Sequence, residues 1–418
     1  MKKILYIIAG LFISLSLQAQ IDRSVVPVPG PVPQINLEQP HSFKLDNGLT
    51  VMVLENHKLP HVTIALRLDN PLSLEGDIKG VEDLASNMMG NGTSKISKDD
   101  FNEQIDFYGA SVGFNLSGVN ASTLSRFFPE VLSLMAQGAL DPLFTQEELD
   151  SERAKLLDGL KTEEKDVPAI ASRVNNVLLY GKDHPKGEYL SEETINKVTL
   201  DDIKSAYKRQ FVPGNAYLVI VGDVKFEDVK KQVTTDFASW KNAFAPKSEY
   251  AEPANLPTTE IDFIDAPHAA QTEIYVGNIV DLKMSSPDYF AALIANQILG
   301  GGAEARLFKN LRESHGWTYG SYSRLGGSKY ISNFTAQAQV RSEVADSAVV
   351  EMLSELKRID ETLPSEKDLK MAKAIYTGRF VMSAENPTTI ASFALGVKTQ
   401  NLPENFYENY IQNINNVT

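Results

Sequence analysis

The chain contains 418 residues, no cysteine and a formal net charge of −14. The lack of cysteine excludes disulfides, thiolate metal sites and a cysteine nucleophile. Because of the acidic excess, nucleic acid and anionic membrane surfaces are poor partners, and we expect neither. The length and the 43% hydrophobic content predict two or three globular domains.

The N-terminus has the pattern of a secretory signal. Two lysines precede an apolar run over residues 4–17, and Ala19 supplies a small residue at a suitable cleavage point. We therefore predict a signal peptide over 1–19, a periplasmic location and no membrane span after cleavage. An uncleaved N-terminal anchor is the alternative. Residues 20–39 are rich in proline and predict an extended arm.

Residues 40–242 predict a first domain that contains both strands and helices. Two strands are expected in residues 43–70, with an Asn-Gly turn at Asn47 and a break at Pro60. Helical periodicity follows in "TQEELDSERAKLLDGLKTEE", "VPAIASRVNNVLLYG" and "TLDDIKSAYKRQF", and "NAYLVIVGD" predicts a buried strand.

A linker is predicted over 243–260, and a similar order of elements restarts over 261–418. Strands are expected in "IDFIDAPHAAQTEIYVGN" and around "TYGSYSRLGGSKYISNFTAQAQV", with a helix in "DYFAALIANQILGGG" and long helices at the end. The motif "DVPAIAS…INKVT" returns as "NPTTIAS…INNVT", which predicts a duplication. In the first half a helix and a strand follow this motif, so we expect that a last helix and strand are missing after Thr418. A naturally short second domain is the alternative.

The stretch "GVEDLASNMMGNGT", residues 80–93, predicts an amphipathic helix that ends at two glycines. Its apolar residues have the spacing of one buried face. Asp83, Ser86 and Asn87 lie on one strip at i, i+3 and i+4, a spacing at which metal-binding helices present ligands.

The histidines do not supply a metal site by their spacing. His57 and His61 are four residues apart, but Pro60 between them prevents a helix from presenting both. We expect surface or turn histidines there. His184, in the loop "GKDHPKG", is expected to be solvated.

The segment "NHKLPHVTIALRLDNPLSLEGDIKGVEDLASNMMGNGTSK" resembles the active-site segment of the pitrilysin-like zinc peptidases, the inverzincins, which include the mitochondrial processing peptidase. The family motif is G-x-x-H-x-x-E-H-M-x-x-x-G-T. Its two histidine positions hold Asp83 and Asn87, and its general-base position holds Ser86. The position of the third ligand, a glutamate in a later helix, holds Gly159.

With these replacements the resemblance implies that the zinc site is dismantled, because asparagine and serine are poor zinc ligands. Ser86 cannot replace the general base, and no histidine or lysine is spaced to activate it as a nucleophile. Asp83 with the neighbouring Asp158 could bind a hard cation weakly; two solvated carboxylates are the expectation.

A second motif lies in "ILGGGAEARLFKNLRESHGWTYGSYSRL". Periodicity alone predicts a helix with inward Leu307, Phe308 and Leu311, a surface salt-bridging Arg312 and a core Tyr319. The segment resembles R-L-F-x-x-L-R-E-x-x-G-x-x-Y in the second domain of the same family. There the resemblance implies that Arg312 and Tyr319 contact substrate around the scissile bond.

The remaining expectations also follow from the resemblance. Gly300, Gly301 and Gly302 are expected to bind substrate, and this glycine run is shorter than the loop of the non-catalytic mitochondrial subunit, which favours bacterial two-subunit relatives. The implied fold, from Pro40 to Thr418, is α+β: two homologous α/β sandwich domains, each with a mostly antiparallel sheet flanked by helices, forming half of a metallopeptidase clamshell.

We thus expect a non-catalytic, substrate-binding subunit of a heteromeric zinc metalloendopeptidase, holding no cofactor itself. The partner is a homologous chain with an intact H-x-x-E-H motif that carries the zinc, and the substrate is an extended peptide added as a strand to a sheet edge. A periplasmic peptide-binding or scaffold protein without a catalytic partner is the alternative, and a standalone hydrolase with unrecognised residues is a third possibility.

Overall fold

The computed structural model describes residues 37–267 and 269–418. The predicted signal peptide and most of the proline-rich arm therefore lie outside the described residues. Within the part described, none of the helices has the length and apolar character needed to cross a membrane.

The first half is built on a six-stranded sheet with the strand order β1-β2-β6-β3-β5-β4. Only the β2–β6 pair is parallel. The strands are β1 His41–Lys44, β2 Thr50–Glu55, β3 His61–Leu68, β4 Ser111–Asn115, β5 Gly118–Leu124 and β6 Ala216–Gly222. Three strands therefore occupy the region where two were expected, because the Asn47 turn and the Pro60 break each separate a pair of strands.

Helices cover this sheet and enclose the main apolar core. They are α1 Val81–Met88, α2 Lys98–Phe107, α3 Phe128–Leu140, α4 Gln146–Glu163, α5 Val167–Tyr180, α6 Glu192–Lys197, α7 Leu200–Gln210 and α8 Phe226–Asp236. Val51, Ile64 and Leu218 from the sheet pack in one cluster with Leu84 and Met88 of α1. Burial of such side chains contributes about 1.5–3 kcal/mol each relative to exposure.

The second half has a three-stranded antiparallel sheet with the order β7-β9-β8. Its strands are β7 Gln271–Val280, β8 Thr318–Leu325 and β9 Ser332–Arg341. Its helices are α9 Tyr289–Gly300, α10 Arg306–Phe308 with a π-helical continuation over Lys309–Ser314, α11 Ala345–Glu361, α12 Glu366–Ser383, α13 Pro387–Thr399 and α14 Tyr410–Asn416. The described chain is thus a duplicated α+β fold with mostly antiparallel sheets flanked by helices, as expected.

Each half contributes one helix that packs on the sheet of the other half. Helix α5 of the first half packs against β7, and α13 of the second half packs against β2 and β6. Both helices begin with proline, Pro168 and Pro387, whose fixed φ suits the first helical turn. Ala391 of α13 is buried against Met52 and Val221. Each sheet is therefore completed by a helix from the other half.

The prediction of a strand at 261–265 is wrong. In the first half, β2 joins the sheet by pairing with β6. The described second half has no strand in the position of β6, so residues 261–265 have no neighbour with which to pair. Ile261 and Phe263 are 84% and 85% exposed there.

Candidate functional site

Helix α1 is held at its N-terminus by a buried carboxylate. Glu75 accepts hydrogen bonds from the backbone amides of Gly80 and Glu82, each at 3.0 Å, and pairs with Lys79. A carboxylate at this end satisfies amides that have no partner inside the helix and interacts favourably with the helix dipole. The apolar face, from Val81 to Met88, is buried as predicted.

The three degenerate positions on α1 have different surroundings. Asp83 and Asn87 are exposed. The Ser86 hydroxyl donates to the Glu82 carbonyl at 2.7 Å and accepts from the Leu116 amide at 3.0 Å. Its proton and a lone pair are therefore used in joining α1 to the β4–β5 turn, which is incompatible with service as a base or an activated nucleophile.

The fourth degenerate position, Gly159, lies on the exposed side of α4, with no atom within 4 Å of where a Cβ would stand. Asp158 is exposed and lies 3.4 Å from Lys161. Throughout 37–267 and 269–418, no three histidine or acidic side chains are grouped so that they could hold a metal ion. The residues present at the family's zinc position therefore do not fit zinc.

The N-terminal end of α1 is acidic. Burial, followed by the charge of Glu75, raises the pKa of Glu82, although hydrogen bonds from Gln210 and Ser73 oppose this shift. Burial also raises the pKa of Glu188, which accepts hydrogen bonds from the Glu75 and Gly76 amides. These carboxylates are engaged by backbone amides and side chains that order the turn before α1.

Arg312 and Tyr319 come together on the surface of the second half. The Arg312 guanidinium donates to the Tyr319 carbonyl and lies 5.0 Å from the centre of the Phe308 ring. Arg312 is exposed, and no carboxylate of the described residues pairs with it. Tyr319 is 83% exposed. Neither the salt-bridging arginine nor the core tyrosine expected from periodicity is therefore present.

Two irregularities of the backbone position this pair. Arg312 lies in the π-helical continuation of α10, a form that is frequent at functional sites. Tyr319 lies on the edge strand β8, where the register shifts between Thr318 and Ser321. Both side chains are therefore free to meet a ligand along this edge.

The glycine run has a packing role in the structure. A Cβ on Gly300 would approach the Ser323 amide nitrogen to 2.2 Å, so the end of α9 can lie against β8 only with glycine there. A Cβ on Gly301 would meet Gln297, whereas Gly302 has more open surroundings. Substrate binding by these glycines stays a prediction.

The expectation of a solvated His184 is wrong. This side chain is 1% exposed, stacks on Tyr180 at 5.2 Å and meets the edge of Tyr250 at 4.8 Å. Its Nδ1 accepts the Lys186 amide at 3.1 Å. Lys186 in turn donates to the Ile331 carbonyl, so the histidine lies where the first half, the segment after α8 and the second half meet. By contrast, His57 and His61 are exposed, as expected.

The similarity to known proteins agrees with this architecture. Residues 197–376 match the family profile described as the peptidase M16 inactive domain. The non-peptidase homolog YmxG of Helicobacter pylori is 23% identical over 376 residues, covering 87% of this chain and 85% of the relative. The probable inactive metalloprotease YmfF of Bacillus subtilis is 22% identical, covering 89% and 91%.

Solved structures show the same fold. A crystal structure of a peptidase M16 inactive domain from Pseudomonas fluorescens has a TM-score of 0.81 at 24% identity and covers 91% of this chain and 92% of that one. The periplasmic protease PqqL of Escherichia coli has a TM-score of 0.71 at 16% identity, covering 93% of this chain but 45% of PqqL.

The fold and the motifs thus define a pitrilysin-like architecture whose zinc-binding residues are replaced. Residues 197–376 carry the match to the M16 inactive domain, and the chain as a whole is similar to M16-family zinc peptidases and their inactive relatives.

Proposed function

We propose that this chain is the substrate-binding, non-catalytic subunit of a heteromeric zinc metalloendopeptidase in the periplasm. It supplies Arg312 and Tyr319 to an active site whose zinc is held by a homologous partner chain with an intact H-x-x-E-H motif. The observation that supports the proposal is the contrast between α1, where the ligand positions cannot hold zinc, and the edge at β8, where Arg312 and Tyr319 are both exposed and the guanidinium contacts the Tyr319 carbonyl.

The chemistry of the exposed pair suits the stabilisation of a peptide undergoing attack. A guanidinium can hold a backbone carbonyl of the substrate, and a phenol can donate to the oxyanion that develops at the scissile bond. Neither group generates a nucleophile from water. The Arg312/Tyr319 pair therefore requires a partner that activates water.

The size of the chain relative to PqqL also supports a partner. The chain spans less than half of PqqL, and it matches a structure of the first half of that protease over 93% of its own residues. Two chains of this size would together equal such a two-part enzyme. A periplasmic location is proposed from the N-terminal pattern, and PqqL is itself a periplasmic protease.

The test is to co-express the full chain with a relative from its own host that carries H-x-x-E-H. The complex is then assayed with a quenched fluorescent peptide library. We expect the isolated chain to bind no stoichiometric zinc and to cleave nothing. We expect the complex to cleave peptides until a zinc chelator is added.

Arg312→Ala and Tyr319→Phe in the complex should each lower kcat by about 100-fold, the effect of losing one oxyanion donor. Arg324→Ala and Tyr322→Phe, on the same strand, are the matched controls and should leave kcat unchanged. Cleavage by the isolated chain would contradict the proposal. If no H-x-x-E-H chain associates and Arg312→Ala weakens peptide binding alone, the scaffold alternative is correct.

A further inference from the structure

A cavity of about 360 Å³ lies in the second half, among α9, α10 with its continuation, α11 and α12. Its polar wall includes Arg306 and Asn310 together with Glu355 and Arg358 of α11. Its volume lies within the range of small-molecule sites, about 300–1,000 Å³.

Unsatisfied polar atoms are concentrated at this cavity. In the described chain, eight buried side-chain nitrogen or oxygen atoms lack a hydrogen-bond partner, and three of them belong to its lining: Arg306 Nη1, Asn310 Oδ1 and Glu355 Oε2. Glu355 is only 7% exposed. Its Oε1 accepts from Asn310 at 3.1 Å, and its Oε2 lies 3.5 Å from Arg358 Nη1 without forming a hydrogen bond. Each such atom destabilises the fold unless a ligand or water satisfies it.

The cavity presents one donor region and one acceptor region. Arg306 has no carboxylate within 4 Å among the residues described, and burial followed by the nearby charge of Arg358 lowers the pKa of its guanidinium. The charges of Glu355 and Asp368 oppose this shift without reaching ion-pair distance, so a ligand carboxylate would give Arg306 a direct ion pair that the described residues do not provide. Glu355 Oε2 and Asn310 Oδ1 are acceptors only, so they favour a ligand that also carries N–H donors.

The remaining wall contains charged side chains, among them Asp368 and the paired Glu304 and Lys309, and an apolar part. The apolar part includes Ile298 of α9 with Met371 and Ile375 of α12. These side chains can pack against an aliphatic group but provide no further hydrogen bonds. A ligand with a carboxylate, an ammonium group and a short aliphatic chain would match all three surfaces.

We propose that this cavity binds a small aliphatic α-amino acid as its zwitterion, with the carboxylate on Arg306 and the ammonium group on Glu355 and Asn310. An inorganic anion would leave Glu355 Oε2 unsatisfied. A metal cation would leave Arg306 without a direct ion pair, and no three acidic or histidine side chains of the described residues are grouped to hold one. The site is separate from the exposed Arg312/Tyr319 pair, and its occupancy does not depend on the function proposed above.

The test is isothermal titration of the isolated full chain with L-leucine, N-acetyl-L-leucine, L-leucinamide and inorganic phosphate. Leucine should bind with a Kd of about 1 mM or tighter, and both blocked analogues at least about tenfold more weakly, since each loses one charged contact. Phosphate binding in preference to leucine, or equal binding of the three leucine compounds, would overturn the proposal.

Substitutions in the cavity test whether leucine binds there. Glu355→Gln and Arg306→Lys should each weaken leucine binding about tenfold or more, because each removes a charge or the fork geometry of the guanidinium. The exposed Glu361→Gln on α11 and Arg341→Lys on β9 are matched controls that should bind as the parent does. If Arg306→Lys fails to fold, Glu355→Gln and the blocked analogues still decide the result. Leucine binding that survives both cavity variants would place it elsewhere and contradict the proposal.

Discussion

Helix α1 retains the packing of the family's zinc-binding helix without its metal ligands, whereas the β8 edge retains the family's Arg and Tyr residues. On α1 the apolar face and the terminal cap are intact, while Asp83 and Asn87 at the family's metal-ligand positions are exposed and Ser86 at its general-base position is hydrogen-bonded to the backbone. Beside β8 the side chains of Arg312 and Tyr319 remain exposed, and the Arg312 guanidinium donates to the Tyr319 carbonyl. The comparison teaches that a helix can keep its packing when the metal-ligand positions hold other residues. Packing depends on the buried face of the helix, whereas metal binding would depend on its exposed face.

The largest effect is expected from restoring the zinc ligands. Asp83→His, Asn87→His and Gly159→Glu together should give stoichiometric zinc binding with a Kd below about 1 µM, since α1 packs against α4 and the Gly159 position has open space. The measurement is metal content after dialysis, followed by competition with a chelator.

The matched control for that experiment is the double histidine variant that keeps Gly159. It should bind zinc at least about tenfold more weakly, because one of three protein ligands is missing. A folded triple variant without zinc would show that α1 and α4 have moved out of the arrangement that a metallopeptidase needs.

A smaller effect is expected from Ser86→Ala. It leaves the buried Leu116 amide without its acceptor, so the free energy of unfolding should fall by about 1–3 kcal/mol. Asn87→Ala, one residue along and exposed, should change it by less than about 0.5 kcal/mol. Chemical denaturation of both variants measures this difference. Equal effects would mean that Ser86 has no structural role in replacing the family's glutamate.

The smallest expected effect is on how the stability of the fold depends on pH. Burial, and then the charge of Lys186, lowers the pKa of His184 below 6.5. The folded state therefore binds its proton less readily than the unfolded chain. The stability that neutral His184 provides is present above pH 6.5 and is lost as pH falls through the lower folded-state pKa.

His184→Gln should accordingly flatten the fall of Tm below pH 6.5, even if it lowers Tm at neutral pH by removing aromatic contacts. His57→Gln is the opposed control. Its hydrogen bond with Asp223 raises the pKa of His57, so losing it should lower Tm below pH 6.5, with a smaller effect as the pH rises through the raised folded-state pKa. A Tm profile that His184→Gln leaves parallel to the parent would contradict the proposed role of its titration.

The sequence allowed most of the fold to be predicted. The three helical segments from Gln146, Val167 and Leu200 form as their periodicity indicated, because each has a cap or an early proline that agrees with its apolar spacing. The prediction of a strand at 261–265 was wrong for a nonlocal reason. The alternation of apolar and polar residues there suits a strand, but the described part of the chain contains no neighbouring strand with which it could pair.

The Glu75 cap, the cavity and the burial of His184 were only weakly indicated by the sequence. Glu75, five residues before Gly80, could have been suspected as a cap, but its amide contacts are made across a turn rather than at the usual capping position. The cavity in the second half joins side chains from four helices, α9 to α12, and nothing in their spacing indicates that they face one space. Burial of His184 depended on rings at Tyr180 and Tyr250, far apart in the chain.

By itself, the sequence determined the resemblance to the inverzincin peptidases, the replacement of their zinc ligands and the seven-residue spacing of Arg312 and Tyr319, because residue identities and local periodicity carry this information. Only the tertiary structure decided which polar groups are available for chemistry. The Ser86 hydroxyl accepts a hydrogen bond from the Leu116 amide, and His184 is enclosed between two tyrosine rings. Arg312 and Tyr319, in contrast, are exposed. Availability depends on burial and on hydrogen-bond partners that are distant in sequence, and these arise only when the sheets and helices pack.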